Sequence, residues 1–192
     1  MRKTVAVTGV ALALGLAACG SMNQSMSEAQ AMSHKKHKMQ GPTKAVAVLM
    51  ATKGNSANGR VHFMQQDGKV KIKGKIKGLE PGSTHGFHVH EYGDVTKANG
   101  TGAGGHYDPE GNKHGLPPKT PRHAGDLGNI QANDEGVAKF TKTVKNISVS
   151  GKKNPILGRG VIVHAKKDDG GQPTGNAGAR IAQGVIGVAN TE

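Results

Sequence analysis

Cysteine is almost missing from this chain: Cys19 is the only one in 192 residues. No disulfide can close within it, even if it is exported to an oxidising compartment, so the fold must be held without one. Aromatic residues are nearly as scarce, with two Tyr, three Phe and no Trp. Together with the lack of any nucleic-acid-binding motif, that scarcity argues against a nucleic-acid partner. The longest apolar stretch, Thr4 to Ala18, falls short of the roughly 20 residues that a membrane-crossing helix needs. No segment carries the apolar stripe of an amphipathic helix. Acidic residues are outnumbered, 13 against 26 Lys and Arg.

The beginning of the chain has a separate purpose. Arg2 and Lys3 precede Thr4–Ala18, and residues 1–18 read as an export signal. The stretch closes on Leu16-Ala17-Ala18-Cys19, which resembles the lipobox of bacterial lipoproteins. That resemblance implies cleavage before Cys19 and lipid on its sulfur, which tethers the mature protein to a membrane without crossing it. An ordinary cleaved signal with an incidental cysteine is the alternative. The position of the only cysteine favours lipidation. The implied location is extracytoplasmic, on the bacterial envelope, at the periplasmic face or the outer membrane. Gly20 after Cys19, in place of a retaining aspartate, leans toward the outer one. Residues 19–43, rich in Ser, Met, Gln and Lys, form a flexible tether. Within it Met32, His34, His37 and Met39 are donors that suit copper, although the interleaved lysines make a basic solvated linker the simpler reading.

Residues 44–192 have the length of one domain. Short runs rich in branched residues, at Ala45–Ala51, Arg60–Gln65, Lys69–Lys77, Gly86–Glu91, Val137–Thr143, Gly160–Ala165 and Ala182–Val188, predict strands. Gly, Asn, Asp and Pro separate them, as in Asn133-Asp134-Glu135-Gly136. The fold class expected is all-β, a sandwich or barrel. Two long segments, Tyr92 to Ile130 and Lys166 to Arg180, read as loops, and loops of that length in a small domain are commonly functional. Without Arg2 and Lys3, 24 basic residues stand against 13 acidic ones, a formal +11. The lysines run along the strands, so the charge reads as a solvated surface that also attracts small anions; an envelope- or polyanion-binding role is a weaker reading.

The strongest chemical signal is a set of histidines. His88 and His90 lie two apart on a predicted strand and project to one face, while Phe87 and Val89 point to the other, into the core. His106, His114, His123 and Asp126 follow within 21 residues of a Gly- and Pro-rich loop. Three imidazoles and one carboxylate close a tetrahedral zinc site and leave no open position. His164 ends a predicted strand and completes a nitrogen set with His88 and His90, which suits copper(II). Asp168, four residues on, is placed to accept N–H groups from histidines of both sets, with a turn role in Asp168-Asp169-Gly170-Gly171 as its competitor. His62, His85, Arg122 and Arg159 read as structural or surface residues.

Gly86-Phe87-His88-Val89-His90-Glu91-Tyr92-Gly93-Asp94, Gly105-His106-Tyr107-Asp108-Pro109, His123–Asn129 and Gly175–Gly187 together resemble the copper,zinc superoxide dismutases over essentially all of Lys44–Asn190. The resemblance implies an eight-stranded Greek-key β-barrel with a long zinc-binding loop and a long electrostatic loop. It implies copper on His88, His90, His106 and His164, and zinc on His106, His114, His123 and Asp126, with His106 bridging. It gives Asp168 the place of the aspartate that links the sites, and Arg180 that of the arginine that positions superoxide. Arg180 and His106 are the catalytic candidates, in an enzyme that converts superoxide to oxygen and hydrogen peroxide and protects the envelope. One departure stands out. The family's disulfide joins the zinc-bearing loop to the strand after the arginine, but Gln183 takes the second cysteine's place and Tyr92–Gly105 holds no first one. Loop order is therefore expected to rest more on zinc, with tight packing of Ala- and Gly-rich segments, and the family's homodimer is put in question. The alternative function is a copper-holding envelope lipoprotein without turnover, which completeness of the ligand set disfavours.

Overall fold

Apolar side chains at every second position, with lysine or another polar residue between them, build strands that are wet on one face and dry on the other. Eight form: β1 Lys44–Ala51, β2 Asn58–Gln66, β3 Lys69–Lys77, β4 Thr84–His90, β5 Asp126–Gln131, β6 Ala138–Val144, β7 Gly160–His164 and β8 Arg180–Val188. The structure, a computed structural model, describes residues 41–190; the expected signal segment, Cys19 and the His34/His37 tether lie outside the described residues. Apart from one short 3-10 turn at Thr101–Ala103, the described residues contain no helix.

The strands are antiparallel and run in the order β5-β4-β7-β8-β1-β2-β3-β6, and β5 returns beside β6 in a nearly closed barrel. β7 inserts between β4 and β8, the non-sequential neighbour arrangement of a Greek key. Phe63, Ile72 and Ile76 from β2 and β3, with Phe87, Leu127 and Ile186 from the other wall, fill the interior. Val70, Ile72 and Ile76 point inward as expected, and Gly74 takes the remaining inner position of β3. A Cβ at Gly74 would strike the ring of Phe140, which packs edge-on against Phe87 with centroids 5.1 Å apart. Glycine there is room for an aromatic pair, not a weak strand.

The sequence predicts seven of these strands and a loop through Ile130, where the structure has an eighth strand at Asp126–Gln131. It is β5, paired with β4 through a bulge between Gly86 and His88. Its Asp126 and Asn129 look like turn residues because the site needs them there. Gly128 has φ +77°, a backbone that suits glycine.

β4 is buried on both faces. Phe87 and Val89 face the core, while His88 and His90 face outward under the two long loops, residues 91–125 and 165–179. That cover turns a strand's polar face into an interior site.

Candidate metal centre

Two histidine clusters share His106. His88, His90, His106 and His164 bring their ligand atoms within 4.8 Å of one another, and so do His106, His114, His123 and Asp126. β4 supplies His88 and His90, the end of β7 supplies His164, and the loop after β4 brings His106, His114 and His123 to the start of β5 at Asp126. An isolated bridge between His90 and His106 lays the loop back on the strand that it left.

Hydrogen bonds fix which nitrogen each ring presents. His88 donates Nε2–H to Asp168 Oδ2 at 2.8 Å, leaving Nδ1 buried with no partner. His90 donates Nδ1–H to the Gly104 carbonyl at 3.0 Å, and His164 donates Nδ1–H to that of Gly178 at 3.1 Å. Their Nε2 atoms then face each other 3.4 Å apart. His106 Nε2 is likewise buried without a partner. Four bare imidazole lone pairs converge, an arrangement that is costly unless a cation holds it.

The second cluster is built around one oxygen. Asp126 Oδ1 lies 2.9, 3.0 and 3.2 Å from Nδ1 of His106, His114 and His123. Ligands about 2.0 Å from a tetrahedral zinc stand roughly 3.3 Å apart. His114 Nδ1 lies close to the carboxylate but is aligned with no hydrogen-bond partner, and it points to the space that the three ring nitrogens share. Asp126 Oδ2 is held by the backbone N–H groups of Gly115 and His123 at 3.0 and 3.1 Å. The donor set therefore fits a metal in both clusters.

Electrostatics follow the same division. Burial drives the His106 pKa down to about 4 and that of His164 to about 3. It also pushes His90 well below its usual range, helped by His106 and Arg180. Neutral imidazole is the form that binds metal. His114 behaves otherwise: burial opposes its charge, but Asp126 and Asp168 outweigh burial and raise it to about 9. Both carboxyls sit far below the carboxylate range despite burial, because imidazole and backbone N–H groups bond to them.

Asp168 touches both clusters, with Oδ2 on His88 and Oδ1 2.9 Å from His114 Nε2. Gly175, at φ +79°, lets the 165–179 loop fold back closely on Asp168; a Cβ there would collide with Asp168 Oδ1. Arg180 lies at the start of β8, and its guanidinium donates to the carbonyls of Gly100 and Gly104, both at 2.6 Å. Gly104 also accepts from His90, so one loop carbonyl orients both groups.

Sequence reasoning missed this framework. Asn129 donates to the Asp168 carbonyl at 2.9 Å and accepts the Asp168 N–H at 2.8 Å. Lys142 donates to the Asn129 carbonyl at 2.7 Å. The carbonyls of Gly104 and Gly178 leave no side-chain signature to find. His85 is a structural neighbour of the first cluster, bonded to the His164 carbonyl at 2.8 Å and to Ser83 Oγ at 2.6 Å. His62 lies exposed on β2, Arg122 donates to the carbonyls of Asp126 and Lys119 and to Asn146 Oδ1, and Arg159 stacks 3.5 Å over Tyr107.

Against known proteins, the family model for copper/zinc superoxide dismutase matches residues 57–186. The chain belongs to the copper/zinc superoxide dismutase family. It is 47% identical over 153 residues to a protein named Superoxide dismutase [Cu-Zn] 2 from Brassica juncea, covering 76% of this chain and 97% of that one. With an Extracellular superoxide dismutase [Cu-Zn] from Brugia pahangi it shares 44% over 156 residues, 76% of each. The solved structure of the clock protein EA4 superposes with TM-score 0.72 at 41% identity, covering 80% of this chain and 99% of that one. Membership makes the chain an oxidoreductase whose cofactors are copper and zinc.

One dismutase feature is replaced. Gln183, at the place of the family's second cysteine, is buried on β8 and donates its amide to the carbonyls of Val95 and Lys97 at 3.4 and 3.2 Å. Hydrogen bonds thus join β8 to the loop that holds Arg180, where the family uses a covalent link.

Proposed function

We propose that this protein dismutes superoxide at the cell envelope, with copper on His88, His90, His106 and His164 and zinc on His106, His114, His123 and Asp126. The observation that supports this assignment is the four bare nitrogens beside a carboxylate-centred second cluster, joined through one ring. Copper there would supply one-electron redox chemistry, and zinc a fixed charge without redox. The protein's own groups do the rest. His106 would help to hold both metals, and its buried Nε2, which faces the first cluster without a partner, is an atom where a proton could be held and passed to product. The Arg180 guanidinium, fixed by two carbonyls, offers a permanent cation to an arriving anion. Overall, one superoxide gives up an electron and leaves as oxygen, and a second gains that electron and two protons and leaves as hydrogen peroxide. Asp168 holds the tautomers of His88 and His114 and keeps both clusters in register.

Residues 1–18 as a signal and lipid on Cys19 would attach the domain to the envelope through the 19–43 tether. Homodimerisation is supported by an exposed apolar strip: Val48 and Met50 on β1, Val185 on β8, and Tyr92 beside Gly93, whose backbone packs near Val185. Val48→Glu with Val185→Glu should yield monomers in sedimentation velocity; an unchanged sedimentation coefficient would move the interface elsewhere or remove it.

The test of function is direct superoxide decay, followed by stopped flow with the full chain loaded with copper and zinc and its metal content assayed. Fast metal-dependent decay is expected. Full occupancy with decay no faster than free buffer would leave a copper-holding lipoprotein without turnover. If zinc removal left the copper spectrum unchanged, the bridge through His106 would be ruled out.

A further inference from the structure

On the wall of the barrel opposite β7, the outward positions of β2, β3 and β6 form a cationic sheet. Arg60, Lys73, Lys75, Lys77 and Lys139 are exposed there, and Lys71 is half-exposed. The register sets Arg60 against Lys75, and Lys75 against Lys139. Like charges placed directly across a ladder destabilise a sheet. No acidic residue lies in β2, β3 or β6, and none of these cations joins an ion pair among the described residues. The fold thus bears a repulsion that its own side chains do not relieve. A groove of about 800 Å³ along this face, lined by Asn58, Arg60, His62, Lys75 and Lys77, also reaches Val46 and Val48 of β1.

We propose that this face docks on an anionic lipid bilayer. Three observations favour a surface over a strand-like polyanion. The cations spread in two dimensions, about 4.8 Å apart across strands and roughly 7 Å along them, and do not form a single track. Neither aromatic side chain of these strands is exposed, since Phe63 is buried and Phe140 packs on Phe87, so base stacking has no platform. The chain enters the described domain at this face: the Thr43 carbonyl accepts the Gln65 N–H, and Met64 pairs with Lys71. Just before β1, the Pro42 carbonyl accepts the Ser150 hydroxyl at 2.7 Å, in the loop that follows β6. If Cys19 carries lipid, that anchor would add its own membrane affinity to that of the sheet. The docking itself does not require that lipid.

The experiment separates the two. Full-length protein with Cys19→Ser, which cannot be lipidated, is sedimented with vesicles of phosphatidylglycerol and phosphatidylcholine, and with phosphatidylcholine alone. Binding should need the anionic lipid and weaken as salt rises, since surface charges are screened over about 8 Å at physiological ionic strength. Lys71→Gln, Lys73→Gln and Lys75→Gln together should cut partitioning on the order of 100-fold, because each cation near an anionic surface contributes about fivefold. Lys113→Gln, Lys119→Gln and Lys152→Gln remove the same charge elsewhere and should have a much smaller effect. Relief of the cross-strand repulsion predicts a triple variant that melts no lower than its parent, which excludes misfolding as the cause of lost binding. Equal loss in the control variant would overturn the proposal in favour of net charge. Undiminished vesicle binding by the triple variant would overturn it outright. Loss of retention on dextran sulfate without loss on vesicles would assign the face to a soluble polyanion and refute the bilayer.

Discussion

Asp168 shows how much can depend on one side chain that meets no metal in the proposed assignment. It accepts N–H groups from both His88 and His114, so both rings must turn their other nitrogen toward a cluster. Asparagine offers one acceptor and one donor. In Asp168→Asn one of the two rings would have to reverse its tautomer and lose the lone pair that faces the cluster. Metal affinity should fall about 10- to 100-fold, measured by chelator competition with copper and zinc read separately. A variant that keeps both metals at parental affinity would reduce Asp168 to a loop-packing residue. Arg180 is a second case. Arg180→Lys keeps a cation but loses the two-carbonyl fork to Gly100 and Gly104, so kcat/KM should fall less than in Arg180→Ala, which loses about tenfold or more. Equal losses would mean that position, not charge, is what the arginine supplies.

Loops and strands are where the missing disulfide has its effect. The 91–125 loop is tied to β8 by the Gln183 amide, and the same loop offers the carbonyls that hold Arg180 and His90. Packing of small residues and zinc alone had been the expected substitutes; a buried glutamine adds a third. Gln183→Ala removes the hydrogen bond to Lys97, about 1 kcal/mol, and the longer contact to Val95, but also relieves the buried, unpartnered Oε1; it should therefore change the melting temperature little while it speeds proteolysis within residues 93–100. Unchanged proteolysis would show that the loop needs no tie to β8. In β3, Gly74→Val would drive a side chain into Phe140 and should cost about 1–3 kcal/mol in denaturant unfolding.

Across the whole molecule, order in the two long loops converges on Asp126 and the second cluster. Residues from 106 to 126 meet there, and Asp168 couples them to the 165–179 loop through His114. Selective removal of zinc should therefore lower the melting temperature by several degrees and expose sites in residues 107–125 to protease, read by mass spectrometry of the fragments. Loop protection that survives zinc removal would show that packing alone orders it. The site at this scale is a division of labour: one barrel wall supplies a rigid imidazole frame, and two loops cover it.

The sequence by itself determined the strand faces and the identity of the clustered histidines. Alternation of Val70, Ile72 and Ile76 with lysine forces one face dry, and His88 and His90, two apart in a strand, cannot help sharing a side. Residue types at those spacings narrow the chemistry by themselves, because imidazole and carboxylate select metals by softness and geometry. Three things were left to the tertiary structure. β5 was hidden because Asp126 and Asn129 serve the site and Gly128 holds a positive φ, so that the three spell a turn while paired as a strand. The choice of nitrogen on each ring was decided by Asp168 and by the carbonyls of Gly104 and Gly178, which are distant in sequence or carry no side-chain signal. The lysines that read as a scattered solvated surface became one cationic wall only when the register set β2, β3 and β6 side by side, since a local pattern fixes which way a side chain points but not which strand stands next to it.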